Sequence, residues 1–182
     1  MEHLYYNSPV VLTFFFISLG VLIFNAISKN TLNILLFSTY RASILSPLMY
    51  VRLVAHIFGH QGWSHFMNNF LTILLIGPMI EEKYGSINLL YMIGITALVT
   101  GVIHNLFSRN RLLGASGIVY MMIALSSFVN IEAGKIPITL ILIFIFYIVN
   151  EVISSFLKLD NVSHIGHLIG AVCGIAFGFY LS

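Results

Sequence analysis

Residues 64–107 read SHFMNNFLTILLIGPMIEEKYGSINLLYMIGITALVTGVIHNLF: an apolar run, a short charged interruption at EEKYGS, and a second apolar run. A helix crossing a hydrocarbon core of about 30 Å needs about 20 predominantly apolar residues. The runs at about 64–80 and 86–107 are near that length, and a connection this short makes their helices antiparallel neighbours. Working outward, further runs of the same kind lie at about 9–27, 114–130, 136–157 and 163–181. The expectation is an all-α membrane protein, a bundle of six transmembrane helices forming one domain over residues 1–182.

Composition supports the membrane assignment. Of 182 residues, 59% are hydrophobic and only 8% charged, whereas about a quarter are charged in a soluble domain; the mean hydropathy is +0.99. The connection at 28–63 carries Lys29, Arg41, Pro47 and Arg52 between short apolar patches. It is too broken for one span and too apolar for a solvated loop, so a long first loop partly embedded in the membrane is expected. The formal charge of +2 is small and scattered, which excludes a nucleic-acid surface. The lone Cys173 rules out a disulfide framework or thiolate metal site within one chain and is expected to be a small packing residue. The opening MEHLYYNSP lacks the positive region of a secretory signal, so the first apolar run is expected to be an uncleaved helix. No internal repeat or low-complexity segment is evident.

Polar groups inside spans cost free energy and are functional candidates by default. His65 and Asn69, four residues apart, project from one face at the start of the second span. Ser116 opens the fourth span, His164 and His167 open the sixth, and Asn150 and Glu151 lie late in the fifth. With short turns, the second, fourth and sixth helices run the same way, so His65, Asn69, Ser116 and His167 fall at similar depth. A serine and a histidine together make a nucleophile and its base. The other histidine, the amide and the N–H groups around Ser116 are donors for an oxyanion. Competing readings are a serine that caps its helix, histidines that serve packing, and a metal pair at His164 and His167 with His65 as third ligand. No carboxylate or cysteine accompanies these histidines at their depth. Asp160 lies in a loop, Glu151 has no clear path to the base, and Lys135 is at the far side, so a Ser–His dyad is favoured over a triad or a Ser–Lys pair.

These residues resemble the rhomboid family of intramembrane serine proteases over nearly the whole chain from about residue 9. GASG at 114–117 looks like the family's Gly-x-Ser-Gly, which implies Ser116 as nucleophile, with Gly114 and Gly117 beside it. HFMNN matches His-x-x-x-Asn and implies that His65 and Asn69 stabilise the oxyanion. Gly77, Glu81 and Gly85 match a Gly-x-x-x-Glu-x-x-x-Gly element whose implied role is structural. Arg52 is similar to an arginine of the family's first loop, although Val51 stands where a tryptophan usually precedes it. The pattern His-x-x-Gly-x-x-x-Gly fits His167 with Gly170 and Gly174, whereas from His164 the same offsets land on His167 and Ala171. His167 is therefore the implied base and His164 the alternative. Tyr120 resembles the aromatic that packs on the catalytic imidazole.

The resemblance implies an endopeptidase without cofactor or metal. Its partners would be membrane lipids and single-pass transmembrane substrates, each cut near one end of its span; no oligomeric state is implied. A helical peptide bond must unwind locally to reach Ser116, which small and helix-breaking residues make easier. His56, His60, Gln61 and Ser64 are expected to form a hydrophilic entrance for water, and the fifth helix to serve as lateral gate. The implied orientation places the N-terminus in the cytoplasm, and the lack of an organelle-targeting presequence or soluble extension leads to the expectation of a prokaryotic cytoplasmic membrane. Lys29, Arg41, Arg52, Arg109, Arg111 and Lys158 are then outside and Lys83 and Lys135 inside, against the positive-inside tendency. Two readings compete with the protease: a catalytically silent relative that binds membrane helices, and a small transporter, which needs a polar path to the other membrane face.

Overall fold

The computed structural model describes residues 5–129, 135, 136, 138–149, 153 and 164–181. Among these the chain is helical: α1 Pro9–Ile27, α2 Thr31–Leu35, α3 Pro47–Ala55 followed by a 3-10 turn His56–Phe58, α4 Trp63–Tyr84, α5 Ser86–Phe107, α6 Ser116–Ser126, α7 Ile138–Ile143 continuing as a π-helical segment Phe144–Val149, and α8 His164–Leu181. Asn150, Glu151, Lys158 and Asp160 lie outside the described residues, as does much of the expected fifth span.

Three described helices, α1, α5 and α8, are long and apolar enough to cross a membrane. Helix α4 has 22 residues but carries Ser64, His65, Asn68, Asn69, Glu81, Glu82 and Lys83, and α6 has only 11 residues. Two expectations are corrected. The charged interruption is not a loop: α4 runs through Glu81, Glu82 and Lys83, and only Gly85, at φ 82°, breaks it before α5 begins at Ser86. The reason is a long-range cap, because the Glu81 carboxylate accepts hydrogen bonds from the Val10 and Val11 amides at 3.0 and 3.1 Å and from Ser86 Oγ at 2.7 Å. It satisfies orphan donors at the start of α1 where charge and helix dipole also agree. The connection at 28–63 is likewise no plain loop, since it folds into α2, α3 and the 3-10 turn.

Large side chains from four helices fill the core. Val11 and Phe14 of α1, Phe66, Phe70, Ile73 and Ile80 of α4, Leu89 and Met92 of α5, and Ile118, Met121, Met122 and Leu125 of α6 are buried in one cluster. Apolar residues also cover the outside: Phe24 of α1, Leu75 of α4, Tyr91 of α5 and Phe179 of α8 are all more than half exposed. Water would oppose such a surface, whereas lipid does not. Helix α8 packs most closely on α6. A Cβ at Gly170 would lie 2.1 Å from the Gly117 carbonyl oxygen and one at Gly174 2.2 Å from that of Met121, so glycine alone permits this approach.

Candidate active site

Helix α1 starts beside Glu81, at the C-terminal end of α4, and α5 returns from there towards the start of α4. The N-terminal ends of α4, α6 and α8 therefore gather at the opposite end of the molecule. Two backbone ties fix the segment that leads into α6. Thr39 and Leu112 exchange N–H···O bonds of 2.8 and 2.9 Å, and the Gly114 amide donates to the His56 carbonyl at 3.0 Å. Gly114 then takes φ 121°, which L side chains rarely adopt, and a Cβ there would meet His65 Nε2 at 2.7 Å.

Ser116 follows at the first position of α6. The first helical hydrogen bond runs from the Val119 amide to the Ala115 carbonyl, so the N–H groups of Ser116, Gly117 and Ile118 have no partner within the helix. Such N–H groups, at the positive end of the helix dipole, suit an anion. His65 and Asn69 lie one helical turn apart on α4 and both approach Gly114: a Cβ there would sit 2.7 Å from His65 and 3.7 Å from Asn69 Nδ2. Asn69 Nδ2 is buried and has no hydrogen-bond partner among the described residues. The Gln61 amide donates to His65 Nδ1 at 3.4 Å, which leaves the imidazole proton on Nε2, the nitrogen nearer Gly114. Two side-chain donors thus converge beside the serine.

From α8, His167 is buried and stacks on Tyr120, with ring centroids 4.4 Å apart and planes within 9°. Its neighbours Gly166 and Gly170 border Gly117. His164, at the first position of α8, is half-buried, and the aromatic stack is made with His167. A cavity of about 560 Å³, lined among others by Gln61, Ser64, His65, Asn68, Arg111 and Ser116, opens over the serine. Behind it a void of about 10 Å³ touches Ser116, Gly117, Thr100 and His56, close to the size of one water.

The other expected site residues fall elsewhere. Arg52 is buried away from Ser116, donating from Nε to the Leu35 carbonyl at 2.8 Å beneath the Tyr40 ring, so it braces the first loop. Glu81 lies at the far end, as the cap of α1. Gln61 and Ser64 are exposed at the cavity mouth. The expected entrance role of His56 and His60 is corrected, because both imidazoles are buried, His60 against Phe66 and Phe70 and 5.1 Å from the His65 ring. Burial pushes each down to about 4. Sequence reading passed over Thr100, Ser38 and the cavity-lining role of Arg111, all placed by contacts distant in sequence. Among the described residues no three His, Cys, Asp or Glu side chains cluster as a metal site.

Fold and site together define a helical membrane protein with serine, histidine and amide groups gathered at the ends of three helices under an open cleft. The chain belongs to the rhomboid family, whose Rhomboid domain matches residues 47–182. It is similar to Rhomboid protease GluP of Bacillus subtilis, 30% identical over 173 residues, covering 90% of this chain and 34% of that protein. Rhomboid-like protein 11, chloroplastic, of Arabidopsis thaliana is 29% identical over 71% of this chain and 51% of its own length. Rhomboid protease GlpG of Haemophilus influenzae is 24% identical, covering 70% and 68% respectively. The chain thus spans a third to a half of the first two relatives.

Proposed function

We propose that this protein is an intramembrane serine endopeptidase that cleaves transmembrane segments of single-pass membrane proteins. The observation that carries the reading is the pair of side chains, His65 with its Nε2 and Asn69 with an Nδ2 unpartnered among the described residues, that meet at Gly114 two residues before Ser116, while His65 and Ser116 line one open cavity. In this mechanism His167 takes the Ser116 hydroxyl proton as Oγ attacks the scissile carbonyl carbon. The resulting oxyanion is held by His65, Asn69 and the amides at the start of α6. His167 then gives its proton to the leaving amine, and water releases the acyl group by the reverse sequence. The Tyr120 ring fixes the plane of the imidazole, a task that an aspartate performs in a triad. The chain would cross the membrane six times, in the cytoplasmic membrane of a prokaryote, as relatives from Bacillus and Haemophilus allow, although a chloroplastic protein of Arabidopsis is equally similar.

The test is cleavage of a transmembrane reporter in liposomes by wild type, Ser116→Ala, His167→Ala and His164→Ala, each checked for folding by its melting temperature. Loss of cleavage with Ser116→Ala and His167→Ala, and its retention with His164→Ala, is the expected result. An indispensable His164 with a dispensable His167 moves the base. Silence of the wild type on diverse reporters, with no labelling of Ser116 by a fluorophosphonate, selects the helix-binding reading.

A further inference from the structure

Among the described residues charge is distributed unequally. At the Ser116 end lie Lys29 after α1, Arg41 bonded to the Asn105 and Leu106 carbonyls at the end of α5, and Arg109 and Arg111 after it. The acidic side chains of the described residues, Glu81 and Glu82, are both at the far end of α4. A second cavity of about 250 Å³ adjoins the one over Ser116, and the two share Gln61, Arg111 and Leu113 as walls. Its remaining lining is polar: Asn30, Asn33 and Ser38, with Ile34 the exception. Ser38 Oγ and Asn33 Oδ1 are buried and have no hydrogen-bond partner among the described residues, with Ser38 1% and Asn33 6% exposed. Asn33 Oδ1 is an acceptor that lies towards Gly59, whereas the Ser38 hydroxyl is a donor whose burial without a partner is costly unless something in the cavity accepts from it.

Resting on the protease reading above, we propose that Arg111 and Ser38 form a carboxylate-binding subsite for an acidic side chain in the polar segment flanking the substrate's scissile bond. A guanidinium offers paired N–H donors matched to a carboxylate, and the Ser38 hydroxyl adds a third. The antiparallel Thr39–Leu112 bridge sets Arg111 across from Tyr40 and Ser38 across from Leu113, and Ser38, Arg111 and Leu113 all line the second cavity. Arg111 is further steadied 5.2 Å from the Tyr40 ring centroid. The basic end of the molecule would draw an acidic segment towards the cleft.

The experiment compares kcat/KM for reporters carrying Glu, Gln or Lys in turn at each position flanking the scissile bond. At one position the wild type is expected to prefer Glu over Gln about tenfold, a ratio in keeping with a partly exposed charge-assisted hydrogen bond. The ratio should fall to near one in Arg111→Gln, recover in part in Arg111→Lys, and turn in favour of Lys in Arg111→Glu; Ser38→Ala should reduce it. An unchanged Glu:Gln ratio in Arg111→Gln overturns the proposal. So does a loss that is equal for all reporters and follows the anionic lipid content of the liposomes, which assigns Arg111 to lipid headgroups. Binding of the Glu and Gln reporters to a Ser116→Ala background is measured in parallel. A Glu preference in binding that depends on Arg111, without cleavage by the wild type, sinks the protease reading alone; binding without such a preference overturns the subsite.

Discussion

Asn69 shows how one residue can be bad for stability and good for chemistry. Its buried Nδ2 lacks a partner among the described residues, and a buried unsatisfied donor costs about 1–3 kcal/mol. Were the side chain only a packing element, an apolar residue of similar shape would serve better. On the proposed mechanism the amide, held one turn from His65 and beside Gly114, would meet a negative oxygen that exists only while a substrate reacts, which is how transition-state binding differs from substrate binding. Asn69→Ala is therefore expected to lower kcat by up to about 10²–10³, with little change in KM and no loss of melting temperature attributable to a broken hydrogen bond. Asn69→Asp keeps the shape but offers an acceptor where a donor is needed and should be at least as impaired. Single-site kinetics on a transmembrane reporter checks both, and an unaltered kcat in the alanine variant assigns Asn69 to packing.

Among the elements, the pairing of α6 with α8 sets the spacing between the serine and the histidine. Gly170→Ala places a methyl group where the Gly117 carbonyl oxygen lies 2.1 Å away, and backbone cannot swing aside as a side chain can. The helices must separate, at about 1–3 kcal/mol by the usual cost of overpacking, and Ser116 and His167 separate with them. Melting in detergent should show the destabilisation, and activity per folded molecule should also fall; a variant that melts lower but cleaves normally shows that the site tolerates helix displacement. The same elements show what a sequence makes legible. The ends of α1, α5 and α8 follow from apolar run length, because hydropathy is a local property, and the shared face of His65 and Asn69 follows from helical periodicity, whereas the common end of Ser116 and His167 was read from the alternating direction of helices joined by short turns. The continuation of α4 to Tyr84 was hidden, since Glu81 finds its amide partners about seventy residues away at the start of α1. Helices α2 and α3 were hidden by the mixed composition of the first loop. His56 and His60 were misread as solvent-facing because the rings that bury His60 come from the following helix, and the presence of Ser38 and Arg111 on one cavity wall depends on a bridge between segments that no local pattern announces.

For the whole molecule, the apolar exterior and the polar interior of the site end set opposite demands, and acid exposes the conflict. His56 and His60, between the first span and α4, are both pushed down to about 4, in each case chiefly by burial, with His104 adding to the effect at His56 and His65 at His60. A histidine whose folded value lies below its unfolded one, 6.5, is neutral in both states above pH 6.5 and costs nothing there. As pH falls below 6.5 the unfolded chain takes up the proton first, so stability declines until the folded imidazole also titrates near 4. Each unit of difference corresponds to about 1.4 kcal/mol. The melting temperature in detergent is therefore expected to fall steadily between pH 6.5 and 4, with these two groups contributing no slope at higher pH. His60→Phe keeps an aromatic ring against Phe66 and Phe70 but loses the hydrogen bond from Nδ1 to the Phe58 carbonyl. For that reason the diagnostic quantity is the slope of melting temperature against pH, which should flatten in this variant whatever happens to its absolute value. A slope as steep as that of the wild type transfers the acid sensitivity to other groups.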